Sequence, residues 1–176
     1  MTEVLAEHHS ESPLTDADIN AMIGRHRAGC LGLHRVDRNL ILLSADGRVT
    51  FSHFTALDAE SVRIALRQAG APPGQVWSGT IHDVPGLTDE RLAQANILVI
   101  RNFDAPVAFE EIQALDDVGA DCFLTHRVSR MRTYFSTSRR RMVCLYQAPD
   151  AESVRHALRE AAIPAEQVWA FRHFPS

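Results

Sequence analysis

The sequence has no lysine. All 18 basic side chains are arginine, so every fixed positive side-chain charge is a planar guanidinium, suited to bidentate contact with anions; a coding bias towards Arg and Ala yields the same composition. No apolar run approaches the ~20 residues that a membrane-spanning helix needs. The opening residues, MTEVLAEHHSESP, have neither the basic n-region nor the apolar h-region of a secretory leader. Three cysteines, an odd number without dense spacing, argue against a disulfide scaffold and for a reducing cytoplasm. Neither Cys-x-x-Cys nor His-Glu-x-x-His occurs, so no ready-made metal or protease motif is present.

What is present is a packable chain that repeats itself. Of 176 residues, 45% are hydrophobic and the net charge is −4, which is enough apolar content for a core. Laid without gaps, Gly29–His82 matches Asp121–Phe174 at 22 of 54 positions. The matches include Cys30/Cys122, His34/His126, Arg38/Arg130, Asp58–Arg63/Asp150–Arg155 and Gln75–Trp77/Gln167–Trp169. Such a match implies two copies of one structural unit, each too long for a solenoid repeat.

Each copy reads the same way. A short strand (Val4–His8, Ile97–Asn102) precedes one helix, TDADINAMIGRHRAGCLGL or PVAFEEIQALDDVGADCFLT. Thr15 and Asp16 have capping chemistry, and Pro106 suits a first helical turn. NLILLSADGRVTFSHF places Asp-Gly between apolar runs, a hairpin signal, and MRTYFSTSRRRMVCLYQ is its counterpart. Asp58 and Asp150 then open a second helix, with Val62, Ala65, Leu66 and Ala69 as its buried stripe and Pro72 or Pro164 after it. A last strand, QVWSGTIH or QVWAFRHF, follows. The order is β-α-β-β-α-β, the ferredoxin-like motif. The expected fold class is α+β: two tandem ferredoxin-like repeats, residues 1–88 and 89–176, forming a pseudo-dimer within one chain so that each bare sheet face is covered. Ile81–Asn96 is the connector, partly helical near Asp89–Gln94.

The stretch RTYFSTSRRRMVCLYQAPDAESVRHALREAAIPAEQVW is similar to the bacterial family of small ferredoxin-like proteins known as domain of unknown function 4242. The matching positions are Thr133–Ser136, Arg140, Cys144–Pro149, Asp150–Glu160 and Ala162–Pro164. The resemblance covers about Val99–Phe174; copy one resembles the family only through the internal match, and has Ser52 and Leu57 where copy two has Cys144 and Pro149. Some family members are described as nickel-binding, so the resemblance implies Ni(II) or another divalent transition metal as a cofactor.

The residues offer several chemistries. Cys30/His34 and Cys122/His126 stand four apart on a helix, so thiolate and imidazole share a face and suit a metal or an activated thiol; a buried small cysteine and a histidine at a helix C-terminus account for the same pairs. Nine histidines are present, and His53, His82 and His173 fall on expected strands, His53 and His82 within reach across one sheet. In copy two, Arg132 and Tyr134 share one strand face, and Cys144 and Tyr146 share a face of the next. If the faces coincide, these four line a ligand pocket. The six arginines between Arg127 and Arg141 are read as a solvated turn rather than a nucleic-acid surface. Three functions follow: a cytoplasmic protein binding a metal or a small anionic molecule between the repeats; a ligand-sensing module; or a small-molecule enzyme of isomerase, cyclase or oxygenase type, with His126, Cys144 or Tyr134 as its reactive group. No catalytic residue is assigned. Neither nucleic acid nor membrane is expected as a partner, and a homo-oligomer is compatible with the pattern.

Overall fold

A computed structural model describes residues 1–175, apart from the side chains of Ala28, Cys30 and Pro175. The mixed α/β chain divides into two compact units, Met1–Gly79 with Arg172–Ser176, and Thr80–Phe171. The first contains β1 (Thr2–His9), α1 (Asp16–Ala28), α2 (Cys30–Leu33), β2 (Asp37–Ser44), β3 (Val49–Ala56), α3 (Ala59–Gln68) and most of β4 (Gln75–Asp83). The second contains α4 (Asp89–Leu92), β5 (Ile97–Asn102), α5 (Phe109–Val118), α6 (Ala120–Thr125), β6 (Ser129–Ser136), β7 (Arg141–Gln147), α7 (Ala151–Glu160) and the first part of β8 (Gln167–Pro175). Neighbouring strands run β4-β1-β3-β2 in the first unit and β8-β5-β7-β6 in the second, the ferredoxin-like order. Their described pairings are antiparallel.

Local chemistry accounts for the element ends. Thr15 caps α1 through a reciprocal box with Asp18. Asp58 and Asp150 accept from the N–H of Ser61 and Ser153, each at 2.7 Å, which satisfies a donor that the helix leaves open. Arg63 and Arg155 donate to the carbonyls of Val76 and Val168, both at 2.8 Å. The shared Asp-Ala-Glu-Ser-Val-Arg run is therefore a cap and a strap tying each helix to the strand that follows. Val62, Ala65 and Leu66 are buried as expected, with Val154, Ala157 and Leu158 their counterparts.

Two sequence expectations need correction here. The long first helix of each copy is broken, at Gly29 (φ −135°, ψ −129°) and at Gly119 (φ −86°, ψ 3°). Glycine is a weak helix former, and at Gly119 even a methyl group would come within 2.7 Å of Ala161 Cβ. Pro106 lies ahead of α5 rather than in its first turn, because Ala108 is the N-cap.

Each hairpin also carries a bulge, between Arg38 and Leu40 and between Arg130 and Arg132. One extra residue reverses the in/out parity of the strand beyond it. Arg38 thus sits opposite Phe54, and Arg130 opposite Tyr146. In the first unit this is the face on which Val4, Ala6, Phe54 and Ala56 pack with Val62 and Leu66 of α3. In the second it is the face of Ile97, Val99, Met142, Cys144 and Tyr146, packed with Ile112, Val154 and Leu158. A further cluster joins Ile19 and Ile23 of α1 to Ile41, Leu43 and Phe174.

Candidate functional site

The register of the hairpin decides the fate of the expected pocket. Beyond its bulge β6 pairs Arg132 with Leu145, Thr133 with Cys144 and Tyr134 with Val143. Arg132 and Tyr134 therefore lie on the sheet face opposite to Cys144 and Tyr146, and the four do not share one pocket. Asp83 takes Arg132 in a two-pronged ion pair (Nε–Oδ1 2.6 Å, Nη2–Oδ2 2.8 Å). That pair, with Tyr134 also bonded to it, holds the guanidinium above the usual arginine range. Tyr134 is fully buried. Cys144 lies in the helix-side core with the Thr133 hydroxyl 3.5 Å from its sulfur. Burial pushes its thiol up, and pushes the Tyr146 phenol well up, so Cys144 is a packing residue rather than a ready thiolate nucleophile.

The metal candidates are dispersed. His34 bonds Gln68 at 2.8 Å. The side chain of Cys30 lies outside the described residues. Cys122 is a half-buried free thiol, and His126 Nε2 is 3.0 Å from Glu160, with its ring stacked on His156. His53 is buried and pairs with Glu3 at 2.5 Å. It is level with Trp77 across β1, because both pair with Leu5, and His82 is five residues further along β4. His82 bonds Thr80 at 2.8 Å and stacks on Phe109 at 3.7 Å; burial lowers its pKa, as it does for His173 near the end of β8. Among the described residues no three His, Cys, Asp or Glu side chains come together to hold a metal ion.

The structure gathers other residues on the helix faces. In the first unit a cavity of about 240 Å³ lies against α1 and β3. Its floor carries Thr50, Ser52 and Phe54, its walls Ile19, Met22 and Leu66, and its polar rim His8, Asp18, Arg25, His26 and Arg38. Arg38 Nη2 donates to Nδ1 of the buried His26, which requires a neutral imidazole with its proton on Nε2. The Arg38 guanidinium also lies over the Phe54 ring at 5.7 Å. Its Nε is buried without a hydrogen-bond partner among the described residues. Burial pulls its pKa down to about 10, and no carboxylate among the described residues offsets that effect. Burial likewise lowers the pKa of His8, against the carbonyls of Pro73 and Pro72.

The second unit treats the matching arginine differently. Arg130 donates to Asp116 (3.2 Å) and Gln113 (2.7 Å), and Asp116 also accepts from the buried Arg101 at 3.1 Å. A more open cleft of about 430 Å³, edged by Phe123, Val128 and Tyr146, borders this cluster. Strand pairing places His8 where the second unit has Arg101: Leu5 faces Trp77 as Leu98 faces Trp169, and His8 and Arg101 each stand three residues on. The sequence displayed the identity of Arg38 and Arg130. It did not display which carried a counter-ion, because the bulges and the broken helices that bring Asp116 and His26 to these arginines have no local sequence mark.

The family described as Nickel responsive protein SCO4226-like matches residues 98–170, nearly the stretch that carries the sequence resemblance. No curated protein matches the chain. Among solved structures it is similar to a candidate chlorite dismutase, at 16% identity and a TM-score of 0.53 over 99% of this chain and 94% of that one. It is also similar to an anthrone oxidase-like protein (9% identity, TM-score 0.48, 98% and 90% covered). A third similarity is to a candidate monooxygenase from Fusobacterium nucleatum subsp. nucleatum (10%, 0.45, 98% and 92%). At these identities the first likeness establishes the fold alone: this chain shares the mixed α/β, antiparallel ferredoxin-type architecture of that protein.

Proposed function

We propose that the chain is a small-ligand-binding module whose ligand occupies the helix-face cavity of the first unit. The observation that carries this reading is the cavity itself, an apolar enclosure onto which a few polar groups converge (Arg38, His26, Thr50 and Ser52). Apolar pockets with a handful of placed polar groups are the usual form of a small-molecule site. The two units are read as copies of one ancestral ferredoxin-like unit. On that reading the second answered its arginine with Asp116 while the first left Arg38 without a carboxylate among the described residues.

The test is a fragment screen by protein-observed NMR on wild type and on Ser52→Phe, which fills the floor. Ligands that shift α1 and β3 resonances in wild type and leave Ser52→Phe unmoved are the expected result. A hit set that binds both proteins alike would overturn the assignment of the site.

Nickel handling is the second reading, favoured by the family match over residues 98–170. The described residues do not assemble a ligand set for it. Equilibrium dialysis of untagged protein against Ni(II) tests it, and stoichiometric retention would promote it over the first reading.

A further inference from the structure

Withdrawing a charge from water without a partner is unfavourable, and Arg38, half-buried with its Nε fully so, borders a cavity that a counter-ion can enter. Resting on the ligand-binding reading above, we propose that the first unit's cavity takes a small organic anion, a carboxylate on an apolar body, with the Arg38 guanidinium as its anchor.

The case stands on a comparison inside one chain. Arg38 and Arg130 are the same position in the two copies, each placed on the helix face just before a bulge. Arg130 meets Asp116, and its charge is answered. Arg38 meets His26, a neutral acceptor, and keeps its Nε–H buried and without a partner among the described residues. The other charges on the cavity do not answer it. Asp18 is committed to the capping box with Thr15, and Arg25 adds a second cation to the rim. The Arg38 guanidinium edges the cavity, and a planar guanidinium suits a carboxylate. Thr50 and Ser52 supply hydroxyls on the floor, and Ile19, Met22, Phe54 and Leu66 an apolar wall. A dry cavity of roughly 150 Å³ is enough for benzene, so about 240 Å³ leaves room for a ring bearing a carboxylate.

The experiment titrates isotope-labelled full-length protein with benzoate, benzamide and acetate, following the Arg38 Nε–Hε resonance together with the backbone. Benzoate should move that resonance and bind at least tenfold more tightly than either benzamide or acetate. Arg38→Met should lose benzoate binding with the backbone spectrum otherwise preserved. His26→Glu, which gives Arg38 a carboxylate of its own, should lose it too while retaining the arginine. Equal binding of benzoate and benzamide, both abolished in Ser52→Phe, would overturn the anion inference and leave the cavity reading intact. Acetate binding as tightly as benzoate would overturn the apolar-body half of the proposal. Silence of the cavity to all three probes would remove the anion inference, and a fragment screen equally silent there would remove the reading beneath it.

Discussion

At the scale of single residues, charge placement separates the two halves of the chain. Asp116 is 8% exposed and holds two arginines, one of them, Arg101, only 3% exposed. Asp116→Ala should therefore destabilise the protein by about 3–5 kcal/mol, since removing one member of a buried ion cluster strands the others. Denaturant unfolding measures this, and a loss below about 1 kcal/mol would mean that the arginines find water instead. Histidines give a second residue-scale expectation. Burial lowers the pKa of His8, His82 and His173 from 6.5. Each binds fewer protons folded than unfolded in mild acid, so their contribution to stability falls as pH drops through about 6.5 towards the lowered folded values. The melting temperature should decline across that window, and His8→Gln should flatten the decline. An unchanged slope in the variant would show that His8 does not contribute.

At the scale of elements, most of the order was legible and most of the faces were not. Apolar runs, the Asp-Gly turn and the Asp58 and Asp150 caps mark strands and helices by local chemistry, and the β-α-β-β-α-β order follows from them. The bulges at Asn39 and Met131 have no such mark. Nothing in Arg-Asn-Leu or Arg-Met-Arg announces an extra residue, yet that residue turns Arg130 to the face of Tyr146, while Arg132 and Tyr134, in the register set by the hairpin turn, lie on the other. Helix ends gave a similar lesson. After α3 the chain turns through Gly70 at φ +75°, and after α7 the same turn is made by Ala162 at φ +56°. A side chain in the left-handed region costs energy that glycine avoids. Ala162→Gly should raise stability by up to about 1 kcal/mol, read as a higher denaturant midpoint at unchanged slope. A lower midpoint would mean that the entropy glycine adds to the unfolded chain outweighs the relieved strain.

For the whole molecule, the internal match predicted two similar compact units, and the strand order within each unit agrees with the ferredoxin-like motif. β4 and β8 each carry residues of both units, a division that no local motif of the sequence marks. Phe174, near the end of β8, packs with Ile19, Ile23, Ile41 and Leu43, and Arg172 reaches Asp16 at the start of α1 at 2.9 Å. Phe174→Ala should cost about 3–5 kcal/mol, and hydrogen exchange should show protection lost first in α1 and β2. Protection lost evenly through both units would contradict that localisation. The ribosome gives this arrangement a direction in time. Residues 1–79 leave the tunnel before the stretch from Arg172 that completes their unit, so that unit cannot finish packing until the stretch emerges. Until Phe174 emerges, the side chains that will enclose the first unit's core are open to chaperones, to proteases, and to any small anion that reaches Arg38 before the unit has set around it.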